Sequence, residues 1–354
     1  MKKSSKIFIA GHNGLVGSAI LERFKFHGFS NIVTRSRKQL DLTNQQSVKL
    51  FFENEKPDCV ILAAAKVGGI KANSDFRADF IYENLMIQTN VIHFAFINNV
   101  KSLLFLGSTC VYPRECPQPI KEKYLLTSQL EKTNESYAVA KISGLKMCES
   151  YNFQYNTNFI SIMPTNIYGI KDNFDLDTSH VLPAIFRKVY LSKLLFENEW
   201  DKLKYDLKKR PIGIINEKSS KKEINRILEE KGITKQTVML WGSGNPKREF
   251  LWSDDLADAC LFLIKQDHSQ KLSDFEDSNT LINIGTGINI SIIELALKIK
   301  RLLNYKGDFI FDHSMPEGTP EKLTDISKMS KLGWKHKIDL DEGIKKMYDW
   351  YKNE

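Results

Sequence analysis

No apolar stretch in this chain approaches the roughly 20 residues that a membrane span requires, so no transmembrane segment is expected. Met1-Lys2-Lys3-Ser4-Ser5 runs straight into strand-like sequence, leaving no room for a signal peptide; a cytoplasmic protein with no membrane partner is expected. The five cysteines, Cys59, Cys110, Cys116, Cys148 and Cys260, are odd in number and show no CxxC or metal-ligand spacing. A disulfide framework or a metal centre is therefore not expected. Internal repeats, low-complexity tracts and nucleic-acid motifs are lacking as well. The formal net charge of +8 does not point to nucleic acid, because 13 Lys and Arg against 8 Asp and Glu lie between Lys188 and Gln236, which leaves only +3 elsewhere. A solvated basic face, or attraction for a phosphorylated small molecule, accounts for it more simply.

What is present is the composition of a globular protein, 42% apolar and 27% charged over 354 residues, long enough for a large domain with an appendage. Strand-like and helical stretches alternate: Lys6 to Ala10, Leu15 to His27, Asn31 to Thr34, Gln45 to Asn54, Cys59 to Ala63, Asp79 to Val100, Ser102 to Leu106, Glu135 to Phe153 and Phe159 to Met163. Such a run of βαβ units predicts an α/β, Rossmann-type doubly wound parallel sheet, with its ligand crevice at the carboxyl ends of the strands. We place the dinucleotide-binding domain at residues 1–165 and a smaller, mainly substrate-binding region at 166–354. Helices are expected at Ser253 to Lys265 and Ser291 to Leu303, the latter capped at Asn289 to Ser291 and stopped by Gly307.

Two motifs carry chemistry. After the apolar Ile7-Phe8-Ile9-Ala10, the turn Gly11-His12-Asn13-Gly14-Leu15-Val16-Gly17 leads into a helix. Its glycines permit a tight turn and close approach of a pyrophosphate, and the helix start offers free N–H groups. Farther on, Leu103-Leu104-Phe105-Leu106 reads as a buried strand that delivers Ser108 and Cys110 to the crevice, and Tyr137 and Lys141 follow with i,i+4 spacing. A YxxxK pair alone reads as ordinary helix surface. Behind a glycine turn and a serine in this order, it reads as a phenol whose proton a neighbouring ammonium can tune.

With Ala63-Ala64-Ala65-Lys66-Val67-Gly68-Gly69-Ile70, Gly107-Ser108-Thr109-Cys110-Val111-Tyr112-Pro113, Met163-Pro164-Thr165-Asn166-Ile167-Tyr168-Gly169, Trp241-Gly242-Ser243-Gly244 and Gly318-Thr319-Pro320, the chain resembles the extended short-chain dehydrogenase/reductases that act on nucleotide sugars. Within them it is similar to the 3,5-epimerase/4-reductases that turn GDP-4-keto-6-deoxy-D-mannose into GDP-L-fucose. The resemblance implies that Ser108, Tyr137 and Lys141 form the reductase triad. Tyr137 would protonate the sugar O4, Ser108 would hydrogen-bond that oxygen, and Lys141 would tune Tyr137 and hold the nicotinamide ribose. It assigns Cys110 and His180 to epimerisation, although on residues alone His180 reads as a loop or helix-cap histidine. It nominates Gly11, Asn13, Gly14, Leu15, Val16, Asp41, Leu42, Ala63, Ala65, Pro164, Asn166 and His180 for the cofactor, and Thr109, Asn166, Lys188, Trp241 and Arg248 for a GDP-linked 4-keto sugar. Asp41-Leu42 also reads as a surface turn, and Trp241 as a packing residue. The cofactor is expected to be NADPH, because Thr34-Arg35-Ser36-Arg37 offers no acid for a ribose 2'-hydroxyl whereas Arg37, with Arg35 near, suits a 2'-phosphate. A homodimer, and a place in bacterial capsule or lipopolysaccharide synthesis, follow from the family alone.

One stretch departs from the family. Residues 189–235 greatly exceed the usual connection, and the sequence predicts an amphipathic helix over Val189 to Leu207 and a second one opened by a capping box, Ser220 to Glu223, and closed by Gly232. The stretch reads either as a surface decoration or as a flap or interface beside the sugar pocket that admits a different hexose or a larger sugar such as a heptose. Trp252 and Glu321 also differ from the family pattern. The competing expectations are a reductase of a GDP-4-keto-heptose or another GDP-4-keto sugar, with or without epimerisation, and a dinucleotide-binding regulator without turnover.

Overall fold

The computed structural model describes residues 1–265 and 280–354. In chain order its elements are β1 (Ile7–Ala10), α1 (Leu15–Phe26), β2 (Ile32–Val33), α2 (Gln45–Glu55), β3 (Cys59–Leu62), α3 (Ile70–Asp75), α4 (Arg77–Ile97), β4 (Ser102–Leu106), α5 (Glu135–Tyr155), β5 (Phe159–Pro164) and β6 (Asn166–Tyr168). They continue with α6 (Val181–Phe196), α7 (Trp200–Lys209), α8 (Lys221–Glu230), β7 (Thr237–Trp241), β8 (Lys247–Trp252), α9 (Ser253–Lys265), β9 (Leu281–Ile284), β10 (Asn289–Ser291), α10 (Ile292–Leu302), β11 (Asp308–Asp312), α11 (Ser327–Leu332) and α12 (Leu340–Asn353).

Six parallel strands form the main sheet in the order β2-β1-β3-β4-β5-β9. Strands β1, β3, β5 and β9 are buried along their whole length, as strands covered on both faces must be. One apolar layer joins α1 and α9 to the sheet, and the other joins α2, α4 and α5. Chain order reverses between β1 and β3, and that switch point opens the crevice at the carboxyl ends. The sixth strand comes from residues 281–284, so the chain returns to the first sheet after leaving it.

A second core gathers the β6-β8-β10 sheet, the β7-β11 pair and helices α6, α7, α8, α10 and α12. The long departure from the family pattern lies inside this core. Its Leu203, Leu207, Ile224 and Leu228 are fully buried. The single helix expected over Val189 to Leu207 is instead broken: α6 ends at Phe196, Asn198 adopts a left-handed φ of 62°, and its Oδ1 accepts the Trp200 indole N–H at 2.9 Å as α7 begins. The capping box at Ser220 and Glu223 is present, and Gly232 (φ 73°) follows α8. Helix α10 also opens on a capping box, Ser291 with Glu294, but it is stopped by left-handed Asn304 rather than by Gly307. Gly307 is required for another reason, because a Cβ there would lie 2.1 Å from the Tyr305 hydroxyl.

The second core is pinned by a buried ion pair. Arg187 on α6 donates to Asp206 on α7 at 2.8 and 3.2 Å and to the Phe174 carbonyl at 3.1 Å, and the Tyr351 hydroxyl of α12 donates to the same carboxylate. Both charges are almost wholly removed from solvent, so each depends on the other. A second buried acid, Glu249 on β8, accepts from the Thr286 and Gly287 N–H groups and from the Thr324 N–H and hydroxyl at 2.5 to 2.8 Å. It joins three segments that border the crevice.

Candidate active site

The glycine turn between β1 and α1 is sterically committed. Gly11 has φ 88°, a Cβ on it would sit 2.7 Å from the Ala64 nitrogen, and one on Gly17 would sit 2.1 Å from the Gly11 carbonyl oxygen. No side chain caps α1 at Gly14, so the N–H groups of Leu15, Val16 and Gly17 face an anion-binding position at the positive end of the helix. Asn13 and Gly14 are exposed on this turn. Ala63 is anchored by its N–H to the Ala10 carbonyl at 3.0 Å, and Ala65 follows on the segment that leaves β3. The cradle fits a dinucleotide pyrophosphate.

The two arginines after β2 separate. Arg35 pairs with Glu55 and lies over the Phe51 ring. Arg37 is 72% exposed, pairs with Glu83 at 3.3 Å, and keeps a guanidinium that can meet a phosphate. Asp41 accepts from the Thr43 N–H at 3.0 Å and hydroxyl at 2.8 Å, bonds that hold its carboxyl below the usual range, with Arg37 adding to the effect. Leu42 is fixed through its carbonyl by Asn90 at 2.9 Å.

Ser108 leaves β4 through Gly107 and starts a short 3-10 turn, Thr109–Val111; its Oγ accepts the Cys110 N–H at 3.3 Å. Thr109 and Cys110 are buried. Across from them on α5, the Lys141 ammonium donates to the Leu106 carbonyl at 2.8 Å and lies 5.7 Å from the Tyr137 ring centroid. Burial pushes Lys141 down to about 8, with Cys110 opposing that shift. Burial also pushes the Tyr137 phenol up, and Cys110 adds to the rise. Desolvation thus outweighs the tuning expected from Lys141 and keeps the phenol protonated. Burial raises the Cys110 thiol too, against the pull of Lys322, the Ser108 hydroxyl and Lys141.

Lys322 escaped sequence reading. The chain near it is held by the Gln118 side chain, which accepts the Leu323 N–H at 2.8 Å, and by its own N–H to the Lys247 carbonyl at 3.2 Å. Its ammonium stands among Cys110, Cys116, Glu131 and Arg248, and burial lowers its pKa. The only signal was its place two residues beyond Gly318-Thr319-Pro320, a motif singled out for other reasons.

His180 precedes α6 and stands on the other wall. The backbone before it rests on paired glycines: the Gly69 N–H donates to the Thr178 carbonyl at 2.9 Å, and a Cβ on Gly69 would lie 2.4 Å from the Ser179 carbonyl oxygen. Phe80 joins the walls, meeting the Tyr137 ring edge-on at 6.3 Å and lying 3.3 Å from a Cβ built on Gly68. His180 is solvent-accessible but stands in a concavity, so loss of solvation lowers its imidazole. Pro164 ends β5, and the Asn166 amide is committed to the Glu249 carbonyl at 2.8 Å.

The remaining residues nominated for the nucleotide sugar divide. Arg248 donates to the Glu317 carbonyl at 3.1 Å, while the Glu317 carboxylate takes the Ser243 N–H, which laces the Trp241-Gly242-Ser243 turn to the loop before Gly318. Trp241 is 38% exposed there. A cavity of about 480 Å³ opens beside this turn, lined by Glu131, Thr133, Ser243, Pro246, Glu317 and Pro320 among others. Lys188 lies on the His180 side, its ammonium on the Met239 carbonyl at 2.9 Å. Trp252 is buried edge-on against Tyr168, and Glu321 accepts from Asn289 at 2.7 Å, so both departures from the family serve packing or loop contacts.

A doubly wound sheet with a glycine cradle at its switch point, and a tyrosine and lysine one helical turn apart beside a serine, defines a dinucleotide-dependent enzyme of the short-chain type. The profile of the NAD dependent epimerase/dehydratase family matches residues 7–210 and 213–285, and the chain belongs to that family. GDP-L-fucose synthase 1 of Arabidopsis thaliana is 46% identical over 349 residues, covering 99% of this chain and 94% of the plant protein. Among solved structures, a GDP-6-OMe-4-keto-L-xylo-heptose reductase from Campylobacter jejuni superposes with a TM-score of 0.93 at 47% identity, covering 100% of this chain and 99% of the other. A GDP-D-glycero-L-gluco-heptose synthase from the same organism, solved in the presence of NADPH, gives 0.91 at 47% identity and 99% coverage of both. Among the described residues no helix is long and apolar enough to cross a membrane, and no group of three or more His, Cys, Asp or Glu is placed to hold a metal.

Proposed function

We propose that the chain is an NADPH-dependent 3,5-epimerase/4-reductase that converts GDP-4-keto-6-deoxy-D-mannose to GDP-L-fucose in the cytoplasm, for bacterial surface polysaccharide. The observation that carries this reading is the grouping of Ser108, Cys110, Tyr137 and Lys141 on one wall, with His180 on the wall across Phe80 and Gly68. NADPH, when bound, supplies a hydride to C4. Gly11, Gly14 and the start of α1 suit its pyrophosphate, and Arg37 its 2'-phosphate.

A ketone at C4 acidifies the protons on C3 and C5. At neutral pH Cys110 is a thiol and His180 a neutral imidazole, following the directions in which burial moves the thiol and partial loss of solvation moves the imidazole. Together they offer one proton and one vacant acceptor, the minimum for removing a proton from one face of the ring and returning one to the other. Tyr137, kept protonated by burial, holds the proton that O4 takes when C4 is reduced, and the Ser108 hydroxyl is placed to bond the same oxygen. Lys141 holds the Leu106 end of the strand against α5 and keeps a positive charge beside the developing oxyanion.

A second reading keeps the site and changes the sugar to a GDP-4-keto-heptose. It is favoured by the two Campylobacter jejuni structures, whose names are those of GDP-heptose enzymes, and by the long segment within the second core. We also infer a homodimer through α4 and α5, where Tyr82 and Val139 are exposed at 63% and 38%; sedimentation of the unaltered chain as a dimer and of Tyr82→Glu as a monomer supports it, and equal masses for the two contradict it. The function itself is tested by NADPH oxidation dependent on the GDP-4-keto sugar. Tyr137→Phe should lower the rate by about 10²- to 10⁴-fold with an unaltered melting temperature, and a loss under tenfold would remove Tyr137 from the chemistry.

A further inference from the structure

The long segment ends at the crevice. Its last helix, α8, is followed by Lys231, and the chain is then clamped to β7: the Met239 N–H donates to the Gly232 carbonyl at 2.7 Å, and a Cβ on Gly232 would lie 2.4 Å from the Met239 Cβ. Met239 is the residue whose carbonyl holds the Lys188 ammonium, and Trp241 lies two positions on. The Lys231 ammonium meets both oxygens of Asp177, at 2.6 and 2.8 Å, three residues before His180. The Lys188 ammonium, held on the Met239 carbonyl, is close enough to feel the charges of both Lys231 and Asp177, and Lys71, paired with Asp75, feels the Asp177 carboxylate from farther off.

We propose that Lys231, contributed by the long segment, is a second cation for the substrate's diphosphate beside Lys188, held by Asp177 until the diphosphate takes the carboxylate's place. This rests on the reading of Lys188 as a diphosphate partner. The exchange is easy on electrostatic grounds. The Lys231–Asp177 pair is 31% and 46% exposed, and such a pair contributes little, whereas a diphosphate offers several charge-assisted bonds at once. Lys188, in contrast, is pushed down to about 8 by burial and by Lys231, with Asp177 opposing, so an anion between the two lysines restores its proton.

The test is calorimetric binding of GDP, with guanosine as the uncharged control, to the full chain saturated with NADP. Lys231→Gln should weaken GDP about tenfold and flatten its salt dependence while leaving guanosine unchanged, Lys231→Arg should restore binding, and Asp177→Asn should not weaken it. Binding protonates Lys188, whose surroundings are Lys231, Asp177 and the Met239 carbonyl, so GDP affinity falls as pH rises through about 8. In Lys231→Gln that fall moves to higher pH, because the repelling charge is gone. Equal GDP affinity in Lys231→Gln and the unaltered chain, or equal loss of GDP and guanosine, overturns the proposal. If the unaltered chain binds no GDP, the reading of the whole site fails and this inference fails with it.

Discussion

At Lys141 the site carries an electrostatic cost that can be measured. Burial lowers its pKa to about 8 in the folded chain, against about 10.4 when unfolded. Between those values the unfolded chain binds a proton that the folded chain lacks, so this group makes stability rise with pH from about 8 to 10 and contributes no slope below 8. Urea midpoints at pH 8 and pH 10 should therefore rise in the unaltered chain relative to Lys141→Met, with Lys188 common to both. Parallel midpoints would mean that Lys141 is solvated. The same burial keeps Tyr137 protonated, which is the form that delivers a proton to O4.

At the scale of elements, the walls are set by glycines as much as by side chains. Gly69→Ala must displace the Ser179 carbonyl, and with it the segment that ends in His180. The expected cost is about 1 to 3 kcal/mol, with loss of solvent deuterium uptake at C3 and C5 and a smaller effect on reduction. Intact uptake in the folded variant would show that His180 does not depend on this contact. The strands from β1 to β5 and the helices α1, α2 and α5 were legible in the sequence within a few residues, because apolar runs between glycine and polar breaks leave few alternatives. Ser108, Tyr137 and Lys141 were legible for the same reason, since their order follows from the strand and helix that carry them. Lys322 and Lys231 were not, because each reaches the crevice through tertiary contacts, Gln118 to Leu323 in one case and Gly232 to Met239 in the other. The break between α6 and α7 was missed because it depends on one asparagine adopting a left-handed conformation inside an otherwise helical pattern.

For the molecule as a whole, the long segment is a structural part of the second core. The Arg187–Asp206 pair spans α6 and α7, and the Tyr351 hydroxyl brings in α12. Asp206→Ala would leave the Arg187 guanidinium buried without a counter-charge, at an expected cost of about 3 to 5 kcal/mol, read from denaturant unfolding. A loss under 1 kcal/mol would mean that water reaches the guanidinium. Because α6 begins immediately after His180 and carries Lys188, a chain that folds around this pair has the two residues on one rigid rod. The segment is thereby connected to the site.

If one crevice both epimerises and reduces a GDP-4-keto sugar, a single turnover experiment reads both reactions. The most direct measurement is turnover of GDP-4-keto-6-deoxy-D-mannose with NADPH in deuterated water, with the corresponding 4-keto-heptose in parallel and products resolved by NMR. The expected result is NADPH consumption with deuterium at C3 and C5 of the reduced sugar, and retention of reduction with loss of deuterium when Cys110 is replaced by serine. Reduction without deuterium in the unaltered chain, from either sugar, would contradict the epimerase role of Cys110 and His180, and no NADPH consumption with either would remove Ser108, Tyr137 and Lys141 from a reductase role.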